Sequence, residues 1–125
     1  GVAPPERAGA AAAMSETGFE LGAALGIAVL GSLAAAIYRT QVGADAPAAL
    51  APELLERARG MLGDALAVAA SLPGADGAAL REVARDAFTL GLRAVSAIGA
   101  ALMTLLALVC LARLRTGPAA AAGGH

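Results

Sequence analysis

The chain has 125 residues, which would suit one small domain, but its composition excludes an ordinary soluble one. Hydrophobic residues make up 58% of it and charged residues only 15%, and it contains two Phe, one Tyr and no Trp. Soluble domains of this size build their cores from aromatic and branched aliphatic side chains. Here the apolar residues are largely Ala and Leu, accompanied by many Gly, as in closely packed membrane helices. The net charge of −1 gives no reason to expect nucleic acid as a partner.

The reactive side chains are too few and too scattered for most enzyme and metal sites. Cys110 lies alone in an apolar run, which excludes a disulfide framework and a cysteine metal cluster. The one histidine is the last residue, His125, so no nucleophile–base pair can form around it. No phosphate-binding loop and no zinc-ligand spacing occurs. We therefore expect a protein that is not an enzyme and that takes no cofactor and no metal.

The first long apolar segment predicts a membrane-spanning helix. The range Leu21–Tyr38 holds eighteen uncharged residues, close to the roughly 20 that a span needs. The apolar character continues upstream, so that the interval between Arg7 and Arg39 corresponds to about 46 Å of helix at about 1.5 Å per residue. Only two glutamates interrupt this interval.

A second span is predicted near the C-terminus. The range Ala94–Ala112 holds nineteen uncharged residues between Arg93 and Arg113. Arg115 and the following Gly-Pro pair close this helix. The last residues, 116–125, are of low complexity, and we expect them to form a disordered tail.

The segment between the spans predicts a helical hairpin. Pro52 opens a pattern of apolar residues at three-to-four spacing that continues to Ala69. Pro73-Gly74 breaks this helix, and Asp76 is the expected N-cap of a helix that continues into the second span. An amphipathic stripe of this length can pack against a core or bind a membrane surface, and its length favours core packing.

Arginine placement predicts the orientation. Arg113 and Arg115 have no acids nearby, which is typical of a cytoplasmic end. We therefore expect an all-α membrane protein with both termini in the cytoplasm and the hairpin outside. The expected segments are a first span with its cytoplasmic lead-in (1–41), the external hairpin (42–86), a second span (87–115) and the cytoplasmic tail (116–125).

Glycines mark one face of the first span. Gly18, Gly22 and Gly26 are spaced four apart, and Gly31 follows. Glycine lets a neighbouring helix backbone approach closely, which drives helix packing in membranes. We interpret this face as structural packing against a partner helix, which the second span does not fully supply.

Glu16 and Glu20 lie four residues apart, so both point to one side of the first helix, about a third of a turn from the Gly22 and Gly26 side. Carboxylates within a membrane helix face a water-filled cavity, a pathway or a partner charge. There they can exchange a proton or neutralise a bound cation. Alternatively, the helix projects into the cytoplasm and water solvates both side chains. The spacing alone leaves both interpretations open.

The residues from Arg7 to Leu33 resemble the penultimate helix of the fourteen-helix drug:proton antiporters of the major facilitator superfamily. The matching features are an Ala-Gly-rich start, an E-x-x-x-[DE]-L-G core at Glu16–Gly22, and Gly31-Ser32 leading to Tyr38-Arg39. The resemblance is closest to the quaternary ammonium compound efflux branch. The long external loop, the last helix beginning around Phe88 and the short tail follow in the same order.

This resemblance implies that the chain is a fragment comprising the last two helices of a bacterial inner-membrane transporter. It implies multidrug efflux and antibiotic resistance, with lipophilic, often cationic compounds leaving in exchange for protons. Glu16 and Glu20 stand where acids of that branch face the central cavity and serve cation recognition or proton coupling, and Glu20 replaces the Asp common there. The implied partners are the lipid bilayer, the remaining helices, lipophilic cations and protons.

A chain that begins at Gly1 without a targeting signal fits such a fragment. The alternative is a small two-span membrane scaffold or accessory subunit that binds a partner through its glycine face. A soluble helical bundle is a third reading, and the second apolar span argues against it.

Overall fold

The computed structural model describes residues 8–116, and over this range the chain folds into four helices with no strand. They are α1 (Ala8–Asp45), α2 (Pro52–Ala58), α3 (Leu62–Ser71) and α4 (Ala75–Thr116). The long helices α1 and α4 have 38 and 42 residues, and each exceeds the roughly 20 residues that cross a bilayer. The prediction of an all-α chain with two apolar helices long enough to span a membrane is confirmed.

The apolar stretches of α1 and α4 are almost entirely exposed. Phe19, Ile27 and Met103, for example, each keep at least 70% of their surface accessible. A core helix of a soluble protein would bury such residues, and apolar patches of this extent mark contact with a membrane or a partner. The exposure therefore favours membrane spans over the soluble bundle.

The buried core lies at one end of the molecule, where α2 and α3 pack against the C-terminal half of α1 and the N-terminal half of α4. Many of its members are alanines, whose small side chains let the helices pack closely. The stripe predicted for the hairpin contributes Ala58, Ala65 and Ala69 to this core, so core packing is its observed role. The buried hydrophobic residues are Tyr38, Val42, Ala58, Ala65, Val68, Ala69, Leu80, Ala84 and Ala87.

The single helix predicted from Pro52 to Ala69 is wrong in one respect, because it is divided into α2 and α3. The start at Pro52 is confirmed. The break centres on Gly60, whose N–H donates to the Arg57 carbonyl oxygen at 3.1 Å in a tight turn. Met61 then adopts extended backbone with φ −160°. A three-to-four apolar spacing continues across this turn, so periodicity could not reveal it.

The predicted N-cap at Asp76 is also wrong. Helix α4 begins one residue earlier, at Ala75, and Asp76 lies within its first turn. Gly74 precedes the helix with φ +66°, a left-handed conformation that glycine adopts without strain. A carboxylate in the first turn still interacts favourably with the helix dipole, so Asp76 stabilises the same end from inside the helix.

From Ala75, α4 runs without interruption into the second span, as predicted. The segment limits expected at residues 41/42 and 86/87 fall inside α1 and α4. They remain predictions of where the chain leaves the membrane. The disordered tail was predicted for 116–125, and residues 117–125 lie outside the described range.

Side-chain hydrogen bonds fasten the end of α2 to α1. The Tyr38 hydroxyl donates to the Ala58 carbonyl oxygen at 3.0 Å, and Tyr38 is only 6% exposed. One residue further along both helices, the Arg59 Nε donates to the Arg39 carbonyl oxygen at 3.2 Å. Gly43 makes room for this guanidinium, since a Cβ there would lie 3.0 Å from the Arg59 Nε. The hairpin is thus held against α1 by two adjacent polar contacts.

Helices α1 and α4 approach closely at Ala34 and Gly91, and we call this contact the helix crossing. A Cβ on Gly91 would lie 3.1 Å from the Ala34 carbonyl oxygen. Eight residues from the crossing in each helix, Gly26 and Gly99 are still partly buried. Beyond them, residues 9–25 of α1 and 100–115 of α4 are all exposed. The two helices therefore separate toward the N-terminus of α1 and the C-terminus of α4.

Candidate functional site

The glutamate pair lies on the side of α1 that carries Ala34 and Tyr38. Ala34 and Tyr38 follow Glu16 and Glu20 by eighteen residues each, which is about five helical turns. The glutamates therefore share a helical face with the residues that pack against α4 and α2 further along. Both side chains are exposed, at a level where α1 and α4 have separated.

The antiparallel register gives the level of the pair along α4. Counted along both helices from the crossing, Glu20 and Leu105 are each fourteen residues away. By the same count Glu16 corresponds to Val109, eighteen residues away. Both levels fall inside the uncharged range Ala94–Ala112. The glutamates are thus opposite the most apolar part of the neighbouring helix.

Arg93 and Arg113 flank the uncharged range of α4. Its nineteen residues correspond to about 28 Å of helix, close to the roughly 30 Å of a hydrocarbon core. Measured from the level of Arg113, Glu16 would lie about 6 Å and Glu20 about 12 Å inside that core. The cavity-facing interpretation of the pair and its depth both remain predictions.

Neither glutamate has an ion-pair or hydrogen-bond partner among residues 8–116. The ion pair seen in the hairpin joins Arg59 to Glu56 at 2.8 Å, far from the pair along the chain. A carboxylate at membrane depth requires water, a cation or a partner charge. The arrangement can therefore accept a cation or protons between the helices.

The predicted packing glycines have no close neighbour in the described part of the chain. A Cβ on Gly18, Gly22, Gly26 or Gly31 would meet no atom within 4 Å. Of the four, only Gly26 is partly buried. Their packing role stays a prediction that needs a helix outside residues 8–116.

The glycine that does permit close helix packing is Gly91, which lies outside the predicted glycine series of α1. Gly91 and Gly99 are eight residues apart and lie on the side of α4 nearest α1. This spacing of small residues on one side of the helix was the available signal. It was weaker than the four-residue series on α1, and it did not identify Ala34 as the partner.

Comparison with known proteins identifies relatives. No protein-family model and no solved structure matches the chain. The chain is 44% identical over 106 residues to the multidrug efflux pump LfrA of Mycolicibacterium smegmatis, covering 85% of this chain and 21% of LfrA. The chain is similar to bacterial drug-efflux proteins. It is also 40% identical over 86 residues to the methyl viologen resistance protein SmvA of Salmonella typhimurium, covering 69% of this chain and 17% of SmvA.

The chain spans about a fifth of the length of these relatives. Their names, together with the two exposed apolar helices, support a piece of a bacterial membrane transporter and agree with the expectation that the chain is not an enzyme. The resemblance to drug transporters drawn from the sequence is confirmed at this level. The fourteen-helix architecture and the quaternary ammonium branch stay predictions.

Proposed function

We propose that this chain forms two helices, and the hairpin between them, of a major facilitator superfamily transporter that exports lipophilic cations in exchange for protons. The observation that carries the proposal is the position of Glu16 and Glu20. They are exposed on the part of α1 that has separated from α4, within an otherwise uncharged apolar stretch. The similarity to a multidrug efflux pump and to a methyl viologen resistance protein supports the same function.

In this proposal the two carboxylates form one site for two competing occupants. Negative charge at membrane depth is costly unless it is neutralised. A lipophilic cation or protons can each neutralise it, so binding of one favours release of the other. The deeper Glu20 contacts the cation, and Glu16 lies between it and the cytoplasmic water. Such competition couples export of the cation to entry of protons.

The proposed topology places both termini in the cytoplasm and the hairpin outside the cell. Arg113 and Arg115 at the end of α4 support this orientation through the positive-inside rule. Residues 1–41 and 87–115 then hold the two spans, 42–86 the external hairpin and 116–125 the tail. The four glycines of α1 pack against helices of the transporter that this chain does not contain.

The second candidate is a two-span scaffold or accessory subunit. The open space at Gly18, Gly22 and Gly31 favours a partner on that face in either case. The coding sequence upstream distinguishes the two. A start codon directly before Gly1 would support the scaffold, and a series of upstream hydrophobic spans would support the transporter.

Transport in everted membrane vesicles tests the proposed function. Vesicles that contain the complete transporter should accumulate ethidium, a lipophilic cation, when their interior is made acidic. Nigericin, which dissipates the pH gradient, should abolish the accumulation. Vesicles without the protein are the control. Accumulation that persists after nigericin would contradict proton coupling, and its absence under both conditions would contradict cation export.

A further inference from the structure

An apolar groove lies where the α2–α3 turn meets the two long helices. Its volume is about 250 Å³. The polar groups at its wall are already paired, since the Tyr38 hydroxyl and the Gly60 N–H donate to backbone carbonyls. The groove therefore offers shape and apolar surface rather than hydrogen bonds. Its walls include Ala35, Tyr38, Met61, Phe88, Gly91 and Leu92.

The register of the long helices gives the level of this groove. Counted from the helix crossing toward the apolar spans, Arg93 of α4 and Ser32 of α1 are each two residues away. Counted toward the hairpin, Arg39 of α1 and Asp86 of α4 are each five residues away. The groove lies between these two arginine levels, which are about 10 Å apart. The headgroup region of one leaflet takes up half of the difference between about 30 Å of hydrocarbon and about 40–45 Å of bilayer, which is about 5–8 Å, so a groove between these levels reaches from the headgroups to the adjoining hydrocarbon.

The α2–α3 turn is thus folded back to the level where the spans leave the hydrocarbon. Met61 at this turn is 59% exposed, and Phe88 on the opposite wall is 49% exposed. Exposed apolar side chains at the membrane surface insert into the boundary between the lipid headgroups and the acyl chains. Arg39 follows Ala35 by one helical turn, and an arginine there can extend its guanidinium toward lipid phosphates.

We propose that this groove holds an acyl chain of a phospholipid in the leaflet on the hairpin side, with Met61 inserted beside it. The hairpin is then anchored to the bilayer as well as to α1 and α4. Two of its walls belong to α1 and α4, whose apolar spans are almost entirely exposed, and this favours lipid as the occupant. This inference rests on the proposed membrane spans and does not depend on efflux.

Fluorescence quenching at residue 61 tests the inference. Met61→Cys in the complete transporter, with Cys110 and any other native cysteine replaced by Ser, is labelled with an environment-sensitive fluorophore and reconstituted into vesicles. Lipids that carry a nitroxide near the top of the acyl chain should quench it at least about twofold more than aqueous iodide, because interfacial apolar groups lie about 5–10 Å deep. Glu56→Cys on the exposed face of α2 is the control and should show the reverse order.

Filling the groove gives a second measurement. Ala35→Phe should lower nitroxide quenching at residue 61, whereas Ala36→Phe, at the neighbouring exposed position outside the groove, should not. Iodide quenching at residue 61 as strong as at residue 56 would overturn the inference. Protection from both quenchers would overturn it too, because another helix of the transporter would then fill the groove. Nitroxide and iodide quenching can both be measured whether or not the vesicles accumulate ethidium. The two measurements are therefore independent of the proposed function.

Discussion

Replacing Glu20 by Gln in the complete transporter should lower export of a lipophilic cation by on the order of tenfold or more, equivalent to about 1.4 kcal/mol. Gln keeps the size and polarity of the side chain but removes the charge that the cation neutralises and the group that exchanges a proton. The loss should appear as slower ethidium accumulation in everted vesicles and as lower resistance of cells. Glu16→Gln should have a smaller effect, because Glu16 lies nearer the end of the span.

The matched control for this experiment is Glu82→Gln. Glu82 is an exposed acid on α4, outside the uncharged range of that helix, and its replacement should leave export unchanged. The Glu16→Gln, Glu20→Gln double variant should abolish proton-driven export. Unchanged export in both single variants and in the double variant would contradict the role given to the pair.

Gly77→Ala should destabilise the hairpin by about 1–3 kcal/mol, the usual cost of overpacking. Gly77 is buried in the first turn of α4, and a Cβ there would overlap the Ala69 carbonyl oxygen and lie 3.0 Å from that of Leu72. Both atoms belong to the backbone and cannot move aside as a flexible side chain could. The overlap should outweigh the helix propensity that alanine adds, which is at most about 1 kcal/mol.

Hydrogen exchange of the α3 amides and thermal unfolding in detergent measure this effect, and Gly63→Ala is its control. A Cβ on Gly63 meets no atom within 4 Å. That variant should be as stable as the native chain or slightly more stable. If Gly77→Ala exchanged as slowly as Gly63→Ala, the close approach of α3 to the start of α4 would be refuted.

The long helices of this fold could be predicted from the sequence. The length of an uncharged apolar stretch identifies a membrane span whatever helices pack beside it. The same holds for the helix start at Pro52, where the ring fixes the backbone and removes a donor that the first turn does not need. The break at Gly60 was missed, because glycine is compatible with a helix and the apolar spacing continues across it. The start of α4 was also misplaced. Asp76 was expected to precede this helix as its N-cap, but Gly74 precedes it instead.

The candidate site could be predicted only in part. Spacing showed that Glu16 and Glu20 share a face, but not what that face meets. The answer depends on the contact between Ala34 and Gly91, which are 57 residues apart in sequence. That contact fixes the register of the two helices, and with it the level of the pair relative to α4. Long-range contacts of this kind leave no periodic signal in a single chain.

Substrate protection of a cysteine beside the glutamate pair tests the central claim most directly. Ala23 follows Glu20 by three residues on the same side of α1 and is exposed, so Ala23→Cys leaves both carboxylates in place. The variant is made in the complete transporter, with Cys110 and any other native cysteine replaced by Ser, and is treated with a water-soluble thiol reagent, which reacts with thiolate in contact with water. We predict that the reagent modifies residue 23 and that a lipophilic cation slows the reaction. Leu25→Cys, exposed on the other side of α1, should not react. Absence of reaction at residue 23, or reaction that the cation does not slow, would contradict a cation site at the glutamate pair.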